Sequence, residues 1–405
     1  MDQDRIVDSV DQGQVLSVLQ LRGDKVLVSR GRPGWIDASA LVGLEQAEDE
    51  FAPVFRSGAG PRDYLARGNV RIALSKFDAG LEDLRKAVSF SGDPTAYLPA
   101  LGFGQLAAQQ QPAAIESFTK ALQEDAKSSS ALMGRGLAYY QVGQLENALT
   151  DLNAAIQLEP EHAFPRKYAG ATLHDLGRLV EAKSMLDSAV AIDPSDGFTR
   201  RALGRLLFDQ GELTASRDQF RMAVELAASD VEALTGCGVV GHVIGDDLQQ
   251  VLKDYQQAIR HADESLENAH LWSNLGQVQS ELGQLKSAVG NFNRAIQLDE
   301  RFLEARSLRA HTLLTASGAT SKAIELAKSD LWYVFQDPGE RTFWDYRALA
   351  AAYSALGDSN RAVQLQRKAM ALIPKANLER FASEAQSKLE YYAAASRGKI
   401  IQENR

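Results

Sequence analysis

Residues 132–160 read LMGRGLAYYQVGQLENALTDLNAAIQLEP, and residues 271–300 read LWSNLGQVQSELGQLKSAVGNFNRAIQLDE. The two stretches carry small residues at the same offsets. Gly136 and Gly276 are each followed by a second glycine seven residues later and by an alanine twelve residues later. A large apolar residue, Leu152 or Phe292, comes four residues after that alanine. Such internal similarity is the signature of a repeat protein, in which each unit is too small to bury its own apolar face.

The same pattern extends over most of the chain. Glycines recur every 34 residues, at Gly68, Gly102, Gly136, Gly170, Gly204 and Gly238. Nine repeats can be traced, beginning near residues 61, 95, 129, 163, 197, 231, 269, 303 and 343. The sixth and eighth depart from the pattern. The helical spacing of the apolar residues predicts a pair of antiparallel helices in each repeat.

This pattern resembles that of the tetratricopeptide repeats, W-x2-L-G-x2-Y followed by A, F, A and P. The resemblance implies a mainly α, right-handed superhelical solenoid whose concave groove receives a segment of a partner protein. Small residues at the eighth and twentieth positions are expected to bring the two helices of a hairpin close together. A glycine at the fifteenth position suits the turn between them, at Gly143, Gly177, Gly211, Gly245 and Gly283.

Residues 14–44 change from helical spacing to alternation of apolar and polar residues, which is typical of strands. Their Gly-Asp turn, Val-rich run, Gly31, Gly34 and Trp35 resemble bacterial Src-homology-3-like domains. The resemblance implies a small all-β barrel, a bacterial parent protein, and a place for Trp35 in the barrel core or in a ligand groove. The first strand of such a barrel is partly missing here, which leaves open that the chain is a fragment of a longer protein.

The sequence thus predicts four segments. They are a barrel over residues 1–43, a half-repeat helix and linker over 44–60, nine tetratricopeptide repeats over 61–376, and a capping helix with a tail over 377–405. The capping helix is predicted at residues 377–392, where Phe381, Ala385 and Tyr392 share one face. The tail from Arg397 is expected to be disordered.

Composition excludes several classes of protein. A net charge of −9, from 44 basic and 53 acidic residues, argues against a general nucleic-acid binder. The longest apolar stretch, Leu234 to Gly245, is too short to cross a bilayer. The acidic first twenty residues lack the features of an export signal, so a cytoplasmic location is expected, or a periplasmic one for a processed fragment.

No catalytic residues, cofactor or metal site are predicted. Residues 236–241 read GCGVVG and match the dinucleotide fingerprint, but they fall inside a predicted helix instead of at the start of one. Cys237 is therefore expected to be a buried structural thiol. His174, His242, His270 and His311 are expected to face the groove. They lack paired metal-ligand spacing, which makes a metal site improbable.

The groove lining gives the candidate site. Positions 2, 5, 9, 12 and 13 of the first helices in the third to fifth repeats are expected to line the groove. They carry an aromatic and basic set together with Met133, Leu137 and Ala171. The predicted partner-binding residues are Tyr140, Phe164, Lys167, His174, Phe198, Arg201, Arg205 and Phe208, with Trp35 as a separate contact. Aromatic residues and arginine dominate binding hot spots, and arginine pairs well with carboxylates. The set therefore predicts a protein or peptide partner with an acidic segment, while an ordinary solvated helix face remains the alternative.

Three functions stay open at this point. The leading one is a non-enzymatic scaffold or adaptor that holds a partner segment in the groove. The second is a cell-envelope protein whose barrel binds cell-wall peptide or glycan while the repeats organise an assembly. The third is an enzyme whose catalytic domain is missing from this chain. The sequence predicts neither the identity of the partner nor the oligomeric state.

Overall fold

The computed structural model describes residues 17–22, 25–29, 33–37, 46, 48–263, 265–316, 320–336, 339, 341–373 and 381–396. The chain divides into two compact units, residues 1–206 and 207–405. In both units the described residues from Pro61 onward form α-helices joined by short connections. The handedness predicted for the solenoid stays a prediction.

The predicted barrel is wrong. Strands β1 (Ser17–Arg22), β2 (Lys25–Ser29) and β3 (Pro33–Asp37) form one antiparallel sheet in the order β1-β2-β3. Among the described strands, β1 and β3 do not pair, so this sheet is an open meander and the Src-homology-3-like resemblance has no support. Alternation of apolar and polar residues predicts a strand, but closure of a barrel depends on non-local pairing that alternation does not encode. The remainder of the 1–43 segment lies outside the described residues.

The first unit consists of a short helix followed by paired helices. The short helix α1 (Ala52–Ser57) follows a 3₁₀ turn at Asp49–Phe51. The paired helices are α2 (Pro61–Ala73) and α3 (Phe77–Phe90), α4 (Leu98–Ala107) and α5 (Gln111–Glu124), α6 (Ser129–Gln141) and α7 (Leu145–Leu158), α8 (Ala163–Asp175) and α9 (Leu179–Ile192). The division between the units falls within α10 (Gly197–Asp209).

The second unit continues the same arrangement. Its helices are α11 (Leu213–Leu226), α12 (Val231–Ile244) and α13 (Leu248–His261), α14 (Ala269–Glu281) and α15 (Leu285–Leu298), α16 (Leu303–Thr315) and α17 (Ser321–Gln336), α18 (Phe343–Ala355) and α19 (Ser359–Leu372), and α20 (Ala382–Ser396). The divergent eighth repeat is therefore a helix pair, with a long second helix. The helix α20 lies within the predicted C-terminal segment, and the predicted start of the capping helix falls in residues 374–380, which lie outside the described ranges.

Glycine at the eighth repeat position allows the two helices of a hairpin to touch. A Cβ atom built on Gly170 would lie 2.6 Å from Cγ of Leu186. The same atom built on Gly276 would lie 2.9 Å from the ring of Phe292. These distances are shorter than real Cβ atoms show, so the hairpins require glycine at these positions. The predicted role of the small residue at the eighth position is confirmed in these hairpins.

The turns between paired helices need a left-handed residue. Gly143, Gly177, Gly211, Gly245 and Gly283 have φ of 74°, 73°, 78°, 79° and 74°. Glycine adopts this conformation without a steric penalty, which is why it recurs at the fifteenth position. In the first two repeats the same turn is made by Ser75 and Gln109, with φ of 59° and 56°. These two turns carry strain that the others avoid.

Within the described ranges, several hairpins also hold a buried arginine–aspartate pair between their helices. The pairs are Arg67–Asp83, Arg135–Asp151 and Arg309–Asp330. In the third repeat, Nε and Nη2 of Arg135 donate to the two carboxylate oxygens of Asp151 at 2.7 and 2.9 Å. Asp151 is 5% exposed. This bidentate geometry fixes the two helices against each other as well as neutralising the buried charge.

Candidate partner-binding site

Three consecutive first helices of the first unit carry most of the predicted site. Tyr140 lies at the end of α6, and α8 carries Phe164, Lys167 and His174. The helix α10 carries Phe198, Arg201 and Arg205. Residues three or four apart on a helix share a face, so each of these helices presents its residues together.

Tyr168 of α8, which is not among the predicted residues, lies at the centre of these side chains. Its ring centroid is 4.8 Å from that of Phe164, 5.0 Å from that of Phe198 and 6.1 Å from that of Tyr140. Phe103 of α4 continues the series at 6.3 Å from Phe164. We call these five residues, Phe103, Tyr140, Phe164, Tyr168 and Phe198, the aromatic row. Their edge-to-face and tilted contacts make a partly buried apolar surface across four repeats.

Burial has changed the chemistry of the central tyrosine. Loss of hydration raises the pKa of Tyr168 to about 12, and the nearby Asp196 carboxylate adds to this rise. The hydroxyl is therefore protonated throughout the physiological range. Tyr168 lies at the sixth position of its repeat, next to the fifth position used to select Lys167, and its aromatic character was the signal that could have identified it.

Lys167 lies over the aromatic row. Its Nζ atom is 5.6 Å from the ring centroid of Phe164, 5.5 Å from that of Tyr168 and 5.4 Å from that of Phe198. The same atom is 3.1 Å from Oδ1 of Asp196, and the side chain is 16% exposed. Lys167 is thus held by cation–π contacts and by an ion pair.

The two arginines of α10 differ in their surroundings. The guanidinium of Arg201 lies 5.3 Å from the ring centroid of Phe198, and the residue is half-buried. Arg205 donates to Oδ1 of Asp175 at 2.5 Å and lies 3.2 Å from Nδ1 of His174, yet 59% of its side chain is exposed. The predicted basic cluster therefore includes two aspartates, Asp175 and Asp196, that the sequence analysis did not assign to it.

Other predicted positions fall elsewhere. Met133 is buried in the core with Leu132 and Ala155, so it does not line a groove. Phe208 belongs to the second unit, where it packs against Phe220, Cys237 and Val240. Trp35 lies on β3 in register with Leu27 of β2, and its role in a ligand groove stays a prediction.

The remaining motifs have structural explanations. Residues 236–241 lie within α12, where Gly236 packs against Phe220 and Gly238 packs against Tyr255. Cys237 is buried as predicted, and burial raises the pKa of its thiol to about 12. His242 is buried in the second unit, His311 is half-buried, and His270 is exposed. No group of three or more metal-ligating side chains occurs among the described residues.

Two models of the tetratricopeptide repeat match the chain, at residues 129–162 and 269–302. Both matches coincide with repeats traced in the sequence, and the prediction of tetratricopeptide repeats is confirmed. No curated protein matches the sequence significantly. Among the described helices, none is long and apolar enough to cross a membrane.

One solved structure supports the repeat fold. A chain in the crystal structure of the APC/C hetero-tetramer Cut9–Hcn1 is 17% identical, with a TM-score of 0.58 over 77% of this chain. The match covers 59% of the length of that relative. At this identity the likeness shows the fold alone.

Two other similar structures are shorter. A tetratricopeptide repeat protein from Parabacteroides merdae is 18% identical, covering 62% of this chain and 98% of its own, with a TM-score of 0.46. YrrB, a TPR protein with an unusual peptide-binding site, is 22% identical, covering 47% and 96%, with a TM-score of 0.38.

Proposed function

We propose that this chain is a non-enzymatic interaction scaffold whose first unit binds an acidic segment of a partner protein. Tetratricopeptide-repeat proteins are in general protein-interaction scaffolds, and the family models that match are repeat models. The observation that carries the finer proposal is the aromatic row with Lys167, Arg201 and Arg205 beside it. The binding surface is defined as these eight residues.

The apolar part of the surface supports binding of a peptide segment. Half-buried aromatic side chains give a large contact area and lose little rotamer freedom on binding, because their neighbours already hold them in place. Tyr168 contacts both Phe164 and Phe198, so the row is preorganised before a partner arrives. Preorganisation lowers the entropic cost of association.

The charged part favours a carboxylate. Arg205 is more than half exposed and is paired with Asp175 at the surface, where an ion pair contributes only about 0–1 kcal/mol. A partner carboxylate can therefore replace Asp175 at small cost. Lys167 is more buried and keeps its Asp196 partner, so its cation serves to hold the rings together.

The two alternative functions, a cell-envelope protein and an enzyme, have less support. The cell-envelope alternative required a β-barrel that binds the ligand. Because the predicted barrel is wrong, this alternative has no structural support. The bacterial origin inferred from the same resemblance has no support either. The enzyme alternative finds no catalytic family among the matches.

The test is affinity capture from native lysate with the full chain as bait, followed by mass spectrometry. Wild type is compared with the double variant Arg201→Glu, Arg205→Glu. We expect the partner to be lost from the variant, because two introduced carboxylates repel an acidic segment. Far-UV circular dichroism and a thermal melt verify that the variant is folded.

The matched control is Arg178→Glu. Arg178 is also an exposed arginine with an acidic partner, Glu181, but it directly precedes α9, a second helix that carries none of the eight residues of the binding surface. The control is expected to retain the partner. If wild type and the double variant capture the same proteins, the first unit does not bind its partner at this surface.

A further inference from the structure

The residue directly before α20 places an aromatic ring between helices of the second unit. Phe381 is 4% exposed. Its ring centroid lies 4.9 Å from that of Trp344 at an interplanar angle of 81°, and 5.7 Å from that of His242 at 87°. His242 belongs to α12, the first helix of the sixth repeat, and Trp344 belongs to α18, the first helix of the ninth. One side chain from the C-terminal segment therefore bridges first helices three repeats apart.

The same segment also neutralises a buried cation. Arg347 of α18 is 4% exposed in its side chain and donates from Nη2 to a carboxylate oxygen of Glu384. Its guanidinium lies 5.0 Å from the ring centroid of Trp344 and 5.9 Å from that of Phe381. Glu384 itself is 46% exposed. Phe381 thus packs against the apolar interior of the second unit, and Glu384, three residues later, neutralises the buried Arg347.

The packing of Phe381 and Glu384 against the second unit leaves a cavity and, among the described residues, two buried nitrogen atoms without hydrogen-bond partners. A cavity of about 410 Å³ adjoins Glu384, and its lining includes Gln277, His311, Thr312, Trp344 and Arg347. Nδ1 of His311 and Nε of Arg347 are buried without a hydrogen-bond partner in the described part of the chain. The chain's own segment therefore covers this region without completing it.

Both of these unsatisfied atoms are donors. Burial, assisted by the charge of Arg347, holds the pKa of His311 well below its usual range, so the imidazole is neutral. Nη2 of Arg347 lies 3.3 Å from Nε2 of His311. Because Arg347 can only donate, Nε2 is the acceptor and the ring proton is on Nδ1. A ligand that completes the site must bring acceptors, such as a carboxylate or backbone carbonyls.

We propose that the second unit binds a helical partner segment in which an aromatic residue is followed three residues later by an acidic residue. In the free chain, Phe381 and Glu384 fill this site themselves, and the partner segment binds when it displaces them. The site is separate from the binding surface of the first unit and does not rest on the function proposed there.

Competition sets the expected affinity. A tethered segment acts at an effective concentration on the order of millimolar, which weakens the apparent affinity of any segment added in trans. Emptying the site in the full chain must therefore strengthen binding of the added segment. The gain is expected only if the added segment enters the site that Phe381 and Glu384 fill.

The probe is a fluorescein-labelled peptide of residues 381–396, and its binding is measured by fluorescence anisotropy. The full chain carrying Phe381→Ala and Glu384→Ala is expected to bind it at least tenfold more tightly than wild type does. A peptide with the same two alanines is expected to lose this gain. Equal binding by wild type and variant, or equal binding of both peptides, overturns the proposal.

Tyr391→Ala is the matched control, because Tyr391 is an exposed aromatic residue on the same helix. It is expected to bind like wild type. If the double variant does not fold by circular dichroism, Glu384→Gln replaces it, since Phe381 then remains packed. A smaller but measurable gain, about threefold, is expected from this variant, and no gain overturns the proposal.

A second copy of this chain could also supply the segment, through exchange of α20. Light scattering on wild type distinguishes this case. A mass that doubles with concentration, and does not do so in Phe381→Ala, would assign the site to self-association and overturn binding of a separate partner. A mass independent of concentration supports the proposal.

Discussion

Removal of the Asp151 carboxylate should destabilise the third repeat strongly. Arg135 keeps its charge in Asp151→Ala, although the Arg135 side chain is only 22% exposed. Its Nε and Nη2 atoms lose both of their acceptors on Asp151. Breaking a buried ion pair typically costs about 3–5 kcal/mol, and the residual exposure of Arg135 places the expected loss near the lower end, about 3 kcal/mol.

The assay is native-state amide hydrogen exchange, because repeat arrays need not unfold in a single step. A loss of about 3 kcal/mol in local stability accelerates exchange in α6 and α7 about a hundredfold. The double variant Arg135→Met, Asp151→Leu removes both charges and should recover most of the protection, since apolar replacements of a buried pair are often neutral. Glu116→Ala breaks an exposed pair with Lys120 and is the control, with little expected change. Unchanged exchange in Asp151→Ala would refute this reasoning.

Two further outcomes are expected. Ser75→Gly and Gln109→Gly should each raise the free energy of unfolding by about 1 kcal/mol, because both residues hold a left-handed conformation that glycine adopts freely. Gly143→Ala should lower the free energy of unfolding. Unchanged denaturation midpoints in all three variants would show that these turns are unstrained. The raised pKa of Tyr168, about 12, means that the folded state disfavours the phenolate, so the associated stability is complete below pH 10 and is lost as the pH rises towards 12. Tyr168→Phe should therefore reduce the alkaline loss of stability in that window, and a denaturation profile identical to that of wild type would contradict the assignment.

The sequence predicted the helical repeats because the physical requirement recurs at every repeat. Glycine at the eighth position is dictated by contact with a single large residue of the same hairpin, as between Gly170 and Leu186. Glycine at the fifteenth position is dictated by its own backbone conformation. Both causes act within one hairpin. The glycines therefore keep their regular spacing in the sequence even where other residues of the repeat differ.

The parts that were missed depend on contacts between distant residues. Asp196, in the connection before α10, pairs with Lys167 of α8, and Asp175 of α8 pairs with Arg205 of the next repeat. Neither pair follows from helix periodicity. The sequence places Phe381 on the apolar face of a capping helix, whereas its contact with His242 depends on how the repeats stack. The barrel prediction failed for a related reason, since alternation indicates strands and leaves their pairing undetermined.

The most direct test of the central claim is hydrogen exchange on the full chain with and without its captured partner. If the first unit binds an acidic segment as proposed, exchange slows in α8 and α10, which carry Lys167, Arg201 and Arg205. High salt should reduce this protection, because part of the binding is electrostatic. Protection that is confined to helices outside α6, α8 and α10 would contradict the claim.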